Sequence, residues 1–314
     1  MGLLAGIDVG GTNLRIGVVD GLSLIYEKRT HADFANLCKT ILAGEAWQKI
    51  IQITSSALSE AIDAYPNITA VGIGFPGFIN PATGRVTQSP NLPGLLDVDL
   101  TKDLSRAINR PVIVENDASA AAYGEYRLHH DGKGNPLSDN LVYIGLGTGV
   151  GGGLVYASKP FSGQHGFSME VGHLIVEHAG RLCGCGNHGC LEQYASATGL
   201  SKSYQLATGQ LLDSAEIAVL ADAGDAAAID AYGLAGSCLA QAVAHIVKVV
   251  DVGQVVVGGG VSQAWHLMQK AFDQRLQADL IPVLRDKVTV TISSSGDQAG
   301  IIGAALLAGA RSGS

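Results

Sequence analysis

One pattern limits the fold of this chain more than any other: an apolar strand, a turn made of glycine, and a second strand, found twice. Residues 3–9 are apolar, Gly10-Gly11 turn the chain, and Leu14–Val19 run on, which predicts a β-hairpin. The pattern returns as a strand over Leu141–Leu146, a turn over Gly147-Thr148-Gly149-Val150-Gly151-Gly152-Gly153, and a strand over Leu154–Ala157. Two such units about 140 residues apart predict two related α/β halves. A cleft between two such halves is a natural ligand site.

The remaining segments fill in each half. Trp47, Ile50, Ile51, Leu58 and Ile62 sit at helical spacing and predict a helix over 45–64. Ala70–Phe75 reads as a buried strand ending at Pro76-Gly77, Leu100–Ile108 as a short helix and Val112–Val114 as a short strand. Asn116-Asp117 then open an alanine-rich helix over Ala118–Tyr126, and His129–Asp139 reads as an exposed loop. The second half ends with a long helix near 225–250, a strand Val255–Val257, the triplet Gly258-Gly259-Gly260, a helix, a strand Val288–Ile292 and a last helix from Gln298. The expected division is a smaller domain over 1–117 and a larger one over 118–297. The helix 298–314 is expected to pack back on the first.

Composition narrows the function classes. With 47% hydrophobic and only 15% charged residues, the chain can bury a large core and does not read as disordered. Its net charge, 20 − 28 = −8, argues against a nucleic-acid surface. The opening Met1-Gly2-Leu3-Leu4-Ala5-Gly6-Ile7 lacks a basic stretch and meets Asp8 too early for a secretory signal. Gly6 stands where myristoylation needs Ser or Thr. No uninterrupted apolar run reaches roughly 20 residues, so no membrane span is expected. A cytoplasmic protein with reduced cysteines follows.

Strings of glycine let several backbone N–H groups face one anion, because no Cβ blocks the approach. Asp8 stands beside the first string, and an acid next to phosphates calls for a divalent cation between them, Mg²⁺ first. Thr12 and Thr148 can add hydroxyl donors. One Gly-Gly turn alone is more often only a hairpin turn; two matched turns plus Gly258-Gly259-Gly260 point to a nucleotide. Gly147, Gly149 and Gly152 also satisfy G-x-G-x-x-G, but that dinucleotide fingerprint needs a helix after the turn, and here a strand follows.

Phosphoryl transfer to a hydroxyl also needs a proton acceptor. Asp117 follows a strand, where open α/β sheets place their ligands. Alone, Asn116 or Asp117 is first of all a cap for the helix behind it. Cys183, Cys185 and Cys190 with His173 offer three thiolates and an imidazole, the donor set of a closed structural zinc site; His188 competes with His173 as fourth ligand. Glu170 and Glu192 flank this cluster, and paired carboxylates suit the hydrogen-bond donors of a sugar.

Taken together, these segments resemble the ROK family of sugar kinases and repressors, its bacterial glucokinases in particular. Asp8-Val9-Gly10-Gly11-Thr12 and Gly147-Thr148-Gly149-Val150-Gly151-Gly152-Gly153 are similar to its two phosphate motifs, and Glu115-Asn116-Asp117-Ala118 to its catalytic segment. Glu170-Val171-Gly172-His173 and Cys183-Gly184-Cys185-Gly186-Asn187-His188-Gly189-Cys190-Leu191-Glu192 resemble its signature and zinc segments. The resemblance implies an actin-like, ribonuclease-H-like duplicated two-domain ATPase fold. It implies Asp117 as catalytic base, with sugar contacts from Asn91, Asn116, Asp117, Glu170, His173 and Glu192. It further implies ATP held around Asp8, Gly10, Gly11, Thr12, Asn13, Gly147, Thr148, Gly149, Gly258, Gly259 and Gly260. Mg²⁺ goes to Asp8, and a structural zinc to His173, Cys183, Cys185 and Cys190. The expected reaction is ATP-dependent phosphorylation of a free hexose, glucose first, with N-acetylglucosamine, N-acetylmannosamine, fructose or allose as alternatives and a homodimer as the assembly. The family's repressors carry a DNA-binding domain before this core, and a first phosphate motif at Asp8 leaves no room for one. One departure stands out: Met169 precedes Glu170 where the family usually has Gly or Ala.

Overall fold

The computed structural model describes residues 2–10, 12–80, 83–130 and 137–312. Gly11 and most of the segment read as a loop over His129–Asp139 lie outside the described residues. The chain begins β1 (Leu3–Val9), β2 (Asn13–Asp20), β3 (Ser23–His31), α1 (Phe34–Thr40), α2 (Ala43–Ala64) and β4 (Ile68–Phe75). Three short strands follow, β5 (Phe78–Ile79), β6 (Val86–Gln88) and β7 (Leu96–Val98), then α3 (Leu100–Ile108), β8 (Val112–Asn116) and α4 (Asp117–Leu128). The pattern restarts with β9 (Leu141–Leu146), β10 (Val150–Tyr156) and β11 (Lys159–Pro160). It continues through α5 (Glu192–Ala195), α6 (Ala197–Thr208), α7 (Ser214–Asp222), α8 (Ala226–Val250) and β12 (Gln254–Gly258). The last elements are α9 (Trp265–Asp279), β13 (Thr289–Ile292) and α10 (Gln298–Ser312).

The duplication is explicit in the sheets. One has the order β3-β2-β1-β4-β8 and the other β11-β10-β9-β12-β13, so corresponding strands hold corresponding places. In the first, β1 is antiparallel to β2 and parallel to β4, which is parallel to β8. In the second, β12 is parallel to both β9 and β13. Parallel strands buried on both faces read as unbroken apolar runs, as Ala70–Phe75 and Val255–Gly258 do. This is the duplicated actin-like, ribonuclease-H-like architecture expected from the sequence.

The chain forms two compact units: residues 1–139, 153–168 and 297–314, and residues 140–152 with 169–296. In the first, α10 lies against β1, β4 and α4. The approach is close because glycines stand at the crossings. A β-carbon on Gly6 would run into the Ile301 carbonyl, one on Gly124 into that of Ala299, and one on Gly303 into that of Ala120. This packing puts α4 in the first unit, whereas the boundary expected from sequence after residue 117 leaves only its first residue, Asp117, there. In the second unit α8 is the central helix and packs on α5, α6, α7 and α9. Among the described residues it alone is long and apolar enough to cross a membrane by length and composition. Here its apolar side chains, Tyr232, Leu239, Val243 and Val247 among them, are buried within the unit.

The second glycine turn is shorter than the sequence suggests. β10 begins at Val150, so Gly151, Gly152 and Gly153 belong to a strand. They are small for packing reasons: a β-carbon on Gly152 would sit 2.7 Å from the Met169 carbonyl oxygen, and one on Gly153 would sit 2.7 Å from that of Ala118.

Candidate active site

In the first unit the C-terminal ends of the parallel strands β1, β4 and β8 carry Asp8, Pro76-Gly77 and Asn116-Asp117. Asn116 is the cap of α4: its Oδ1 accepts from the Ser119 N–H at 3.0 Å, and its Nδ2 donates to the Gly77 carbonyl at 3.1 Å. Asp117 is therefore the first helical residue, not the cap, and its Oδ1 accepts from the Ala118 N–H at 2.8 Å. Asn91 is exposed on a turn tied to the same corner. Ser89, buried, donates to the Pro76 carbonyl at 2.6 Å, and the Leu92 N–H donates to the Ser89 carbonyl at 3.1 Å. Gly77 has φ 134° and faces Gln88 and Ser89 so closely that a side chain would not fit.

The first glycine turn closes by a 2.8 Å bond from the Gly10 N–H to the Asn13 carbonyl. Asp8, Gly10, Thr12 and Asn13 line a cavity of about 160 Å³ together with Arg15, Arg29 and Asp297, three residues that motif reading did not find. Arg15 donates to Asp8 Oδ2 at 2.7 Å and pairs with Asp297 at 3.0 Å. Burial raises the Asp8 carboxyl above its ordinary range and Asp297 adds to the rise, while Arg15 pulls the other way. The one available signal for Arg15 was a cation inside the apolar run Leu14–Val19, since arginine is rarely buried without a partner.

In the second unit Gly147, Thr148 and Gly149 join β9 to β10, with the Gly147 N–H donating to the Gly149 carbonyl at 2.9 Å. Gly258, Gly259 and Gly260 differ in kind. Gly258 is buried on Tyr143, and Gly259 has φ 85° with Leu146 behind it. At Gly260, as at Gly147, a β-carbon would meet nothing within 4 Å. Glycine at those two positions is not demanded by the protein and leaves room for a ligand. A second cavity, of about 410 Å³, lies between α6 and α7 and is lined by Thr198, Ser201, Lys202, Gln205, Leu211 and Asp213.

Among the described residues one group of side chains is placed to hold a metal ion: His173, Cys183, Cys185 and Cys190, with ligand atoms all within 4.8 Å of one another. His173, not His188, completes the set. Two of the edges fit a small tetrahedral ion, for which ligand bonds of 2.0–2.3 Å give edges of about 3.3–3.8 Å. Cys185 Sγ lies 3.6 Å from Cys190 Sγ, and Cys183 Sγ lies 3.8 Å from His173 Nδ1. Burial first, then its neighbouring thiols, push the Cys190 thiol up to about 12. Three bare thiolates so close call for a cation. His173 Nε2 lies 3.8 Å from Glu170 Oε2. Partial burial raises the Glu170 carboxyl and the Glu192 carboxylate raises it further, against the pull of His173. The unit thus brings Glu170, His173 and Glu192 together. Met169, just before Glu170, has φ 62°, the left-handed region that favours glycine. That is a backbone reason for glycine at this position.

The model of the ROK family matches residues 4–311. A glucokinase from Thermotoga maritima is 32% identical, covering 96% of this chain and 96% of its own. An N-acetyl-D-glucosamine kinase from Shigella flexneri is 33% identical, covering 96% of this chain and 98% of its own. A ROK family glucokinase from Streptomyces griseus, solved in complex with glucose and AMPPNP, is 30% identical; it superposes with a TM-score of 0.81 over 98% of this chain and 100% of its own.

Proposed function

The chain belongs to the ROK family and is a hexokinase-type phosphotransferase, and from that premise we propose that it moves the γ-phosphoryl group of ATP to glucose, giving glucose 6-phosphate, with Asp117 as general base. One observation carries the assignment of the base: Asn116 caps α4, which leaves the Asp117 carboxylate at a parallel strand's C-terminal end without the capping duty. As the sugar oxygen attacks the γ-phosphorus, its proton passes to Asp117 and ADP leaves. Such help is worth on the order of 10²–10⁴ in rate.

The other residues bind and aim. Asn91 and the Asn116 amide hold sugar hydroxyls in the first unit's set; Glu170 and Glu192 accept from hydroxyls in the second's. With a metal on Nδ1, His173 keeps its proton on Nε2 and becomes a donor. His173, Cys183, Cys185 and Cys190 would hold zinc, which stiffens this segment and fixes the imidazole's tautomer. The phosphates are taken by Gly10, Thr12 and Asn13, by Gly147-Thr148-Gly149 and by the open face at Gly260, and the adenosine by the cavity between α6 and α7. Asp8 would hold Mg²⁺, which neutralises phosphate charge.

Glucose is placed first because Pro90-Asn91-Leu92-Pro93-Gly94 resembles the glucokinase segment. N-acetylglucosamine is the second reading, because a kinase of that sugar is as similar overall as the glucokinases are. A coupled ADP-release assay over glucose, N-acetylglucosamine, N-acetylmannosamine, mannose, fructose and allose decides. Glucose should give the highest kcat/KM. A higher value for N-acetylglucosamine would move the substrate assignment, and no ADP with any sugar would overturn the reaction. Replacing ATP by polyphosphate tests the donor.

A further inference from the structure

The elbow between α5 and α6 grips the second glycine turn along its whole length. The Ala197 N–H donates to the Gly147 carbonyl at 2.9 Å, and Thr198 Oγ1 donates to the Thr148 carbonyl at 2.9 Å. Glu192 Oε2 accepts from the Val150 N–H at 3.1 Å, and a β-carbon on Gly149 would come within 2.4 Å of it. Ser196, fully buried, locks the elbow: it donates to the Glu192 carbonyl at 2.6 Å and accepts from the Gly199 N–H at 2.9 Å.

A trans peptide unit is rigid, and its C=O and N–H point in opposite directions. Holding the Gly147 and Thr148 carbonyls in the elbow therefore turns the N–H groups of Thr148 and Gly149 away from it. A glycine-rich turn left to itself has many backbone conformations, and an anion would have to order them on binding. We propose that Thr198 and Glu192 are positioning residues for the nucleotide: they hold the turn so that the Thr148 and Gly149 N–H groups are aimed at a phosphate before it arrives. This rests on the reading above that the turn holds phosphate. Glu192 has a second oxygen for a sugar hydroxyl, so one carboxylate serves both substrates.

Thr198 gives the cleaner test, because it has no part in the sugar set. Calorimetric titration of the full chain, without sugar, with ADP and separately with adenosine, should show Thr198→Val weakening ADP about five- to tenfold, the worth of one hydrogen bond. Thr198 also lines the cavity proposed for adenosine, so the loss should be clearly larger for ADP than for adenosine. The KM for sugar should stay within about twofold of wild type, and Thr198→Ser should restore ADP affinity. Thr198→Ala replaces Val if that variant does not fold. Equal losses for adenosine and ADP, or an unchanged ADP affinity, would overturn the proposal. Gly147→Ala separates it from its premise, since the added methyl meets no protein atom within 4 Å. An unchanged ADP affinity in Gly147→Ala removes the phosphate reading and the proposal with it. A loss there without a loss in Thr198→Val removes the positioning role alone.

Discussion

Asn116 and Asp117 are neighbours with different work, and two substitutions should separate them. Asp117→Asn keeps a side-chain oxygen for the Ala118 N–H and leaves the Asn116 cap in place. Its structural cost is the loss of one negative charge in the first turn of α4, about 0.3–1 kcal/mol. Its catalytic cost is the whole contribution of the base, about 10²–10⁴ in kcat, with the sugar dissociation constant within about tenfold. Asn116→Ala reverses the pattern. It removes a cap, about 1 kcal/mol, and the bond to the Gly77 carbonyl, about 0.5–1.5 kcal/mol. A stability loss of about 1.5–2.5 kcal/mol should then accompany a smaller fall in kcat than Asp117→Asn causes. Urea unfolding, ADP-release kinetics and sugar calorimetry on both variants measure all three quantities. A kcat for Asp117→Asn within about tenfold of wild type would refute the assignment of the base. So would an Asn116→Ala variant that unfolds like wild type yet loses as much turnover.

The other predictions follow from packing, metal chemistry and backbone strain. Purified protein should contain about one zinc per chain by elemental analysis; Cys185→Ser should lose it, and the region 170–192 should become sensitive to limited proteolysis. A metal-free wild type with the same proteolytic pattern as Cys185→Ser would contradict this. Gly303→Ala should destabilise the first unit by up to about 2 kcal/mol, because overpacking costs about 1–3 kcal/mol against about 1 kcal/mol of helix propensity gained. It should also lower kcat, since the clash is with α4, which carries Asp117. Met169→Gly relieves a left-handed backbone worth about 1–2 kcal/mol but adds unfolded-state entropy of about 0.4–1 kcal/mol. Its stability should rise by no more than about 1.5 kcal/mol, while the preference between glucose and N-acetylglucosamine shifts, read as a ratio of kcat/KM values.

What could be read from the sequence was what is local. The two hairpins announce themselves because each glycine turn stands directly after an apolar run, and the metal ligands because Cys183, Cys185 and Cys190 crowd one short segment. β3 went unread: as an edge strand with alternate side chains exposed, Ser23–His31 looks polar. The sheet β5-β6-β7 is made of strands two or three residues long, too short for any period to show. α5 to α7 owe their places to α8 and to buried Ser196 rather than to a helical pattern of their own. Arg15 with Asp297, and Thr198 with Thr148, join residues distant in the chain, and no spacing rule reaches them. Even the glycine count misleads locally, since Gly152 and Gly153 serve close packing and not the turn.

The two turns have diverged in a way their shared origin makes measurable. Three residues separate β1 from β2, and three separate β9 from β10. Setting Val9 against Leu146 and Asn13 against Val150 puts Asp8 opposite Gly145, Thr12 opposite Gly149 and Arg15 opposite Gly152. The second half cannot copy the first. A side chain at Gly145 would crowd the Tyr143 ring, 3.1 Å from where its β-carbon would be, and one at Gly152 would strike the Met169 carbonyl. An arginine at Gly152 is barred by backbone, and an acid at Gly145 would have to push the Tyr143 ring aside, so the Asp8–Arg15 pair has no counterpart in the second half. The second half gets its carboxylate from outside the hairpin. Glu192 comes in on α5 and reaches the Val150 N–H because Gly149, in the place of Thr12, has no β-carbon to stop it. Gly149→Ala should therefore act through Glu192, displacing it from the turn, whereas Thr12→Ala removes only a hydroxyl. If nucleotide binding responds equally to both, the two turns do the same work, and the division of labour argued from Gly145 and Gly152 is wrong.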